Sequence, residues 1–290
     1  MNLAFASNAF KRNTLEEAVE LIAGVGYRGV ELMADVPHAL PGLMGEGRKR
    51  ELRKRLGDLG MTVSNVNAFT LFACGDTYHP TWIEESAGER GRRVEHTKRA
   101  VELAAEFGCG TVSLQPGGPM IGMALSRGEA GGRFAEGIGA CVETARRCGV
   151  ILAIEPEPGL FIQTAGEYIE WKRENFAAED RVRMNCDIGH LFCVGDDLPA
   201  VIREHHGEIA HVHLEDIGRN RVHQHLTPGR GVIDFAAVFV ALREVRYAGK
   251  MTVELYPYET TAGGVAKLAW DHLTPILAAG GKVGGELSAI

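Results

Sequence analysis

Four residues able to bind a divalent metal ion close four successive apolar runs in the second half of the chain. An unpaired charge is costly to bury at the end of such a run, so three carboxylates and an imidazole that met there would need a cation between them. Oxygen ligands with a single imidazole suit Mn²⁺, Mg²⁺ or Co²⁺, and catalytic Zn²⁺ is a further alternative. The four residues are Glu155, Asp187, His213 and Glu254.

Polar residues close to these runs are candidates to contact a substrate. His190 comes three residues after Asp187, so its ring can face the same place. Arg219 comes six residues after His213. Its guanidinium could hold a substrate oxygen, or it could instead pair with a carboxylate on the surface.

A further set of polar residues lies just before a Pro-Gly turn or at the ends of earlier runs. His223 and His225 alternate, so in an extended segment both rings point to one side. Asn67 and Gln115 each end an earlier apolar run. For three other residues a structural role explains the position as well as a functional one does, namely Glu31, His38 and His211.

Short β-rich runs alternate with helical stretches along the whole chain. Eight such pairs in 290 residues predict an α/β fold, a (β/α)8 TIM barrel in a single domain. A doubly wound open sheet is the alternative, but the GxGxxG or phosphate loop typical of that fold is absent. The predicted strands are 3–6, 29–33, 62–67, 111–115, 151–155, 182–187, 209–214 and 251–255. The predicted helices lie near 14–24, 46–59, 90–107, 133–147, 165–172, 197–206, 235–245 and 264–278.

Composition and charge exclude several classes of protein. Apolar residues make up 45% and charged residues 24%, as in ordinary globular proteins. The formal net charge of −7 argues against a nucleic-acid or anionic-membrane partner. No apolar run approaches the ~20 residues of a membrane helix. The start lacks the basic region of a signal peptide, so we expect a cytoplasmic protein. Within the one domain, 1–290, we expect 68–91 to be a lid over the barrel mouth and 280–290 a loose tail.

Taken together, these residues resemble the metal site of the xylose isomerase-like TIM-barrel superfamily. That superfamily includes ketose 3-epimerases, hydroxypyruvate isomerase, inosose dehydratase and endonuclease IV. In the first half of the chain only the β/α rhythm and Gly-Val-Glu-Leu at 29–32 match. The second half matches through Ile-Glu-Pro at 154–156, Asp-x-x-His at 187–190, Val-His-Leu-x-Asp at 212–216, Pro-Gly-x-Gly at 228–231 and Val-Glu at 253–254.

The resemblance to ketose 3-epimerases implies one divalent metal ion, with Mn²⁺ expected first, held by the four residues named above. It makes Glu155 and Glu254 the acid–base pair as well as ligands. Those epimerases carry a further Glu where this chain has Phe161, and Glu157 is the candidate to replace it. A homodimer or homotetramer is also implied. The resemblance makes His190 and Arg219 contacts to substrate oxygens. With the candidates from position, the predicted substrate-binding residues are His190, Arg219, Glu157, His225, Gln115 and Asn67.

The expected function is that of a sugar isomerase or epimerase. One glutamate removes a proton beside a substrate carbonyl, the metal ion holds the resulting enediolate, and the other glutamate returns a proton. The first alternative is a dehydratase of a keto-polyol such as an inosose, which the extra pair His223 and His225 favours. The second is a non-catalytic sugar-binding barrel.

Endonuclease IV is a member of the same superfamily that acts on DNA, through three zinc ions. Two of the histidine ligands that this resemblance requires are Asn67 and Gln115 here. The chain therefore lacks the ligands for a three-metal cluster, and its negative charge also argues against DNA.

Overall fold

Eight parallel strands form a closed barrel in the computed structural model, which describes residues 2–122 and 124–279. Each strand pairs with the next along the chain, and β8 closes the barrel by pairing with β1. The predicted single-domain (β/α)8 fold is confirmed, while the predicted tail at 280–290 lies outside the described residues. The strands are β1 (Asn2–Ala6), β2 (Gly29–Met33), β3 (Thr62–Asn67), β4 (Thr111–Leu114), β5 (Ile151–Ile154), β6 (Val182–Asp187), β7 (Ile209–Leu214) and β8 (Lys250–Val253).

Helices connect the strands and cover the outside of the barrel. In the described part of the chain they are α1 (Leu15–Val25), α2 (Glu46–Asp58), α3 (Ala87–Glu106), α4 (Arg127–Cys148), α5 (Ala165–Asn175), α6 (Ile188–Val194), α7 (Leu198–His205), α8 (Phe235–Glu244) and α9 (Ala262–Ala279). At the start of α1, Thr14 Oγ1 accepts a hydrogen bond from the Glu17 N–H, and the Glu17 carboxylate accepts one from the Thr14 N–H. None of the described helices is long and apolar enough to cross a membrane.

The sequence pattern does not predict α6, a helix of seven residues directly after β6. Asp187 begins α6 by accepting a hydrogen bond from the His190 N–H at 2.8 Å. Gly195 ends it with a φ of 95°, a conformation that favours glycine. Both end signals are present in the sequence, but so short a helix has too few turns for its apolar periodicity to show.

The inside of the barrel is polar, and the apolar core lies between the barrel and its helices. Successive residues of a strand point to opposite faces. In β7, Val212 and Leu214 join the apolar core. The alternate residues His211 and His213 contact polar groups inside the barrel. Other buried polar residues of the strands are Glu31, Asn65, Ser113, Asn185 and Thr252. Most barrels of this fold are filled by layers of branched apolar side chains. The polar side chains inside this barrel are instead suited to form or support a site.

The predicted lid segment at 68–91 is anchored at both ends. Its last residues form the first turn of α3, which begins three residues earlier than predicted, at Ala87. The buried guanidinium of Arg93 donates hydrogen bonds to the carbonyls of Ala68, Phe69 and Pro80. The segment is thereby tied to α3 on each side of its middle part, and opening of that middle part stays a prediction.

The ring of Trp82, in this same segment, packs against α4. A Cβ atom added to Gly137 would lie 2.7 Å from Trp82 Cε3, so only glycine fits there. We expect Gly137→Ala to destabilise the fold by about 1–3 kcal/mol through overpacking. The matched control is Gly139→Ala in the same helix, where nothing lies within 4 Å of an added Cβ. That variant should stabilise the fold by roughly 0.5–1 kcal/mol.

Urea denaturation of both variants tests this packing. Equal free energies of unfolding for the two variants would show that Trp82 does not pack against α4 in this way.

Candidate active site and metal centre

The four predicted metal ligands, called here the ligand group, meet at the carboxyl end of the barrel. One atom from each lies within 4.8 Å of the corresponding atoms of the others. Their strands, β5 to β8, are neighbours in the barrel, so each side chain reaches the same place from an adjacent position. All four are buried: Glu155, Asp187, His213 and Glu254.

The imidazole of His213 lies at the centre of the ligand group. Its Nδ1 is 3.0 Å from Glu155 Oε1. The same atom is 3.6 Å from Asp187 Oδ2 and 3.7 Å from Glu254 Oε2. On the other side of the ring, Nε2 donates to Glu31 Oε2 at 2.9 Å. Because ionised carboxylates only accept hydrogen bonds, Nδ1 also carries a proton here, and a metal ion bound by this nitrogen would displace it.

Neighbouring groups hold one oxygen of each of two carboxylates and leave the other directed at the centre. Glu254 Oε1 accepts hydrogen bonds from the side-chain amides of Asn8, at 2.9 Å, and Asn67, at 3.1 Å. Its Oε2 is the atom that faces His213. Asp187 uses Oδ1 as the cap of α6, which leaves Oδ2 to the ligand group.

Two carboxylate oxygens of the ligand group have no hydrogen-bond partner among the described residues. They are Glu155 Oε2 and Asp187 Oδ2, both buried. A buried carboxylate oxygen without a partner is costly, because it has lost its bonds to water. A divalent cation would satisfy both atoms, and three carboxylates with one imidazole are a suitable donor set for such an ion.

Burial and mutual repulsion shift the proton affinities of the ligand group. Burial raises the pKa of Glu155 and raises that of Glu254 well above its usual value. Burial alone would lower the pKa of His213, but the neighbouring carboxylates more than offset this and raise it well above the usual range. In the absence of a metal ion, these three residues therefore retain protons that free side chains would lose, whereas His190 and His213 keep the pKa of Asp187 well below its usual value despite its burial.

Three imidazoles next to the ligand group form the histidine cluster, namely His190, His223 and His225. The Nε2 atom of His225 lies 3.2 Å from Nε2 of His190 and 3.2 Å from Nε2 of His223. Since carbonyls only accept hydrogen bonds, Nδ1 of His190 donates to Pro156 O and Nδ1 of His225 donates to Glu254 O. The facing Nε2 atoms are thus left to share a proton, to receive one from a substrate, or to hold a cation.

As predicted, His223 and His225 point to one side, although their segment is an irregular loop rather than a strand.

A layer of polar side chains lies beneath the ligand group, centred on Glu31. Its Oε2 is 2.9 Å from Nε2 of His213 and 3.2 Å from Nε2 of His211. Asn67 donates to its other oxygen at 3.0 Å. His211 also contacts Thr252 Oγ1 at 2.9 Å. Glu31 thus orients the ring of His213, and His211 supports Glu31, which answers the question that the sequence left open for both residues.

Glu215 is a member of the site for which the sequence analysis offers no role. It is fully buried, and neither carboxylate oxygen has a hydrogen-bond partner among the described residues. Burial raises its pKa well above the usual value. Its oxygen lies within 4.8 Å of ligand atoms of Asp187 and His225. The available signal was its spacing, because a residue two positions after His213 shares that side of the strand.

A cavity of about 250 Å³ opens above the ligand group. Its lining includes Glu155 and Glu254 of that group, together with three predicted substrate contacts, Asn67, Glu157 and His190. Glu157 is buried and accepts a hydrogen bond from the Tyr78 hydroxyl at 3.0 Å. The structure therefore places proton-transfer candidates and hydrogen-bonding groups around one space of the size of a small molecule.

The remaining predicted contacts do not line this cavity. Gln115 is buried and donates to the Tyr78 carbonyl at 2.9 Å, so it holds the lid segment. His225 is buried within the histidine cluster. Arg219 is exposed in the loop after β7, so the structure does not support a contact between its guanidinium and a substrate in the cavity.

Phe161 faces away from the cavity. Its ring packs edge-to-face against Phe134, with the ring centroids 6.2 Å apart, and it joins the apolar core. Glu157, in the same loop, does line the cavity. It is the residue that the sequence predicts to replace the glutamate absent at Phe161.

Comparison with known proteins gives a match over most of the chain. The family model described as "Xylose isomerase-like TIM barrel" matches residues 10–274. An Escherichia coli protein provisionally named L-ribulose-5-phosphate 3-epimerase is 28% identical over 178 residues, which is 60% of each chain. The inosose dehydratase of Clostridium perfringens is 25% identical over 261 residues, covering 84% of this chain and 83% of that protein.

Solved structures share the fold at lower identity. The IolI protein with a bound zinc atom has a TM-score of 0.78 and is 17% identical, and the match covers 96% of this chain and 99% of that one. At this identity the likeness establishes the fold alone.

The pKa shifts predict how metal binding depends on pH. Groups whose pKa is raised in the folded state stabilise the metal-free protein at low pH, and this stabilisation is lost as the pH rises toward their folded-state values. A metal ion must displace the protons of Glu155, Glu254 and His213, so its affinity should rise with pH. Adding Mn²⁺ should therefore raise the melting temperature more at about pH 7.5 than at about pH 5.5.

Differential scanning fluorimetry measures this shift. At a concentration a hundredfold above Kd, the ion should stabilise the fold by about 2.7 kcal/mol. Asp187→Asn, which keeps an oxygen to cap α6, should remove most of the effect. The exposed Asp58→Asn is the matched control and should retain it. An equal shift at both pH values, or in both variants, would contradict the assignment.

Proposed function

The chain belongs to the xylose isomerase-like TIM-barrel family, and from this premise we propose that it is a divalent-metal-dependent isomerase or epimerase of a sugar or polyol. The observation that carries the proposal is the convergence of Glu155 and Glu254 on one cavity. Two carboxylates that face the same small space can remove a proton from a substrate and return one to it. Two of the relatives are named for compounds that carry a ketone, the first provisionally as an L-ribulose-5-phosphate 3-epimerase and the second as an inosose dehydratase.

The two glutamates carry out the proton transfers. One accepts the proton from the carbon beside the substrate carbonyl, so the C–H bond breaks and its electron pair moves toward the carbonyl oxygen to give an enediolate. The other donates a proton to the opposite face of the same carbon, which gives the epimer. If it instead donates the proton to the former carbonyl carbon, and the hydroxyl proton of the first carbon passes to the other oxygen, the product is the isomer. In the metal-free protein, burial raises the pKa of Glu254 well above its usual value.

The other residues of the ligand group and its surroundings prepare these transfers. Glu155, Asp187, His213 and Glu254 would hold the divalent ion, Mn²⁺ in first place, which supplies Lewis-acid polarisation of the substrate carbonyl. Asn8 and Asn67 fix one oxygen of Glu254, so its other oxygen keeps a constant direction. Among the cavity residues, His190 and Glu157 are placed to hydrogen-bond substrate hydroxyls.

A dehydratase is the second candidate, and the histidine cluster favours it. His190 and His223 both line the cavity beside the two glutamates. After proton removal, a hydroxyl on the next carbon could leave as water if an imidazole supplied its proton. The similarity to an inosose dehydratase supports this alternative.

A small sugar or polyol is the partner that this proposal requires. A homodimer or homotetramer and a cytoplasmic location remain predictions from the sequence.

Replacing Glu254 by Gln tests the proposed proton transfer. The amide keeps the size of the side chain but cannot accept the substrate proton, so turnover should fall by roughly 10²–10⁴-fold. The assay is deuterium uptake from heavy water into the substrate, measured by mass spectrometry with Mn²⁺-loaded protein. The matched control is Glu136→Gln on the exposed face of α4, which should keep full activity.

Each outcome of that assay has a distinct meaning. Deuterium uptake at unchanged substrate composition supports an isomerase or epimerase. Loss of water from the substrate supports the dehydratase. Near-wild-type uptake in Glu254→Gln would overturn the assignment of this residue, and no reaction with any compound would leave a sugar-binding barrel.

A further inference from the structure

Lys11 is the one lysine or arginine among the described residues that line the cavity, and its charge is already paired. The Nζ atom of Lys11 lies 2.8 Å from Glu259 Oε1, and it lies 5.8 Å from the centroid of the Phe72 ring. Its positive charge is therefore compensated by a side chain of the protein before any substrate enters.

The other charged groups of the lining are acidic. Glu155, Glu157 and Glu254 all border the cavity. Phosphate groups are usually held by arginine forks, by unpaired lysines or by backbone N–H groups at a helix N-terminus. A sugar phosphate would find no arginine and no unpaired lysine among the described residues of the lining to hold its dianion. The cavity is thus suited to an uncharged substrate.

The shape of the lining favours a ring over an open chain. Four aromatic side chains, called here the aromatic wall, line the cavity together with its polar residues, namely Phe69, Phe72, Tyr78 and Tyr256. Aromatic rings bind flat apolar surfaces well. A polyol closed into a ring has C–H groups on its two faces and hydroxyls around its edge, whereas an extended chain has no such face. The ring can therefore pack its C–H face on the aromatic wall while its hydroxyls contact the polar residues of the lining.

The volume limits the substrate to one such ring. At about 250 Å³ the cavity is slightly below the roughly 300–1,000 Å³ of pockets for drug-sized ligands. A monocyclic polyol fits this space, and an oligosaccharide would extend outside it.

We propose that the substrate is an uncharged keto-polyol whose carbonyl lies in a ring, and that phosphorylated open-chain ketoses are rejected. This inference rests on the proposed function, because it concerns the substrate of the same site. Three features carry it: the acidic lining, the pairing of Lys11 with Glu259, and the aromatic wall.

The test compares an inosose, L-ribulose and L-ribulose 5-phosphate with the Mn²⁺-loaded protein. The inosose carries its carbonyl in a six-membered carbon ring, whereas L-ribulose carries its carbonyl in an open carbon chain. L-ribulose and L-ribulose 5-phosphate share that chain and differ by the phosphate on O5. Deuterium uptake from heavy water reports proton exchange, and isothermal titration calorimetry reports binding independently. We expect the inosose to exchange fastest and to bind most tightly, and L-ribulose 5-phosphate to exchange at least about tenfold more slowly than L-ribulose, because the one described lysine of the lining is already paired and cannot hold the phosphate.

The two proposals fail in different ways. If L-ribulose 5-phosphate exchanges as fast as the inosose, the substrate class is wrong while the proposed isomerase chemistry stands. If no compound exchanges deuterium or loses water, the proposed function is wrong, and the order of the calorimetric affinities still decides the substrate class. An inosose that binds no better than L-ribulose 5-phosphate would overturn this inference.

A pair of variants isolates the role of Lys11. Glu259→Gln removes its partner, so the free ammonium should improve kcat/KM for L-ribulose 5-phosphate relative to L-ribulose by roughly two- to fivefold, as expected for one partly exposed ion pair. The matched control is Glu244→Gln, which breaks the pair between Glu244 and Arg203 on the helices outside the barrel. It should leave this ratio unchanged. The same ratio in both variants would show that Glu259 does not mask Lys11.

Discussion

The repulsion among three carboxylates around one imidazole is the constraint on which the rest of the site depends. Glu155, Asp187 and Glu254 each place an oxygen within 3.7 Å of His213 Nδ1, and all four side chains are buried. Such a group is stable only with positive charge at its centre, either as protons or as a metal ion. The same charge is what a substrate carbonyl needs in order to release a neighbouring proton, so the requirement of the fold and the requirement of the proposed chemistry coincide.

The surrounding layers restrict the orientation of these four side chains. Glu31 holds the far side of His213, and the amides of Asn8 and Asn67 hold one oxygen of Glu254. Support of this kind keeps a site in its productive geometry and is costly to remove. It also explains the polar inside of the barrel, because β6, β7 and β8 carry buried Asn185, His211 and Thr252 two residues before the residue that acts at the end of the strand. The apolar core is then left to the layer between the barrel and the helices.

Most residues at strand ends were predictable from the sequence, whereas residues in loops were predictable only in part, since Glu157 lines the cavity and Arg219 does not. The eight strands and the convergence of Glu155, Asp187, His213 and Glu254 follow from alternating apolar runs with one polar residue at the end. The helix α6 was not predicted because seven residues are too few to show an apolar periodicity. Arg219 lies six residues into an irregular loop, where spacing says little about direction, and it is exposed. Glu215 was overlooked because an acid in the segment His-Leu-Glu-Asp looks like a surface residue until its burial is known.

The position of a bound ion is the most direct test of the proposed metal centre. Crystals grown with Mn²⁺ and measured at the manganese absorption edge would show it as a peak in the anomalous difference map. We expect one such peak, bounded by Glu155, Asp187, His213 and Glu254. A protein that binds Mn²⁺ only among His190, His223 and His225, or that binds no ion at the barrel mouth, would contradict it.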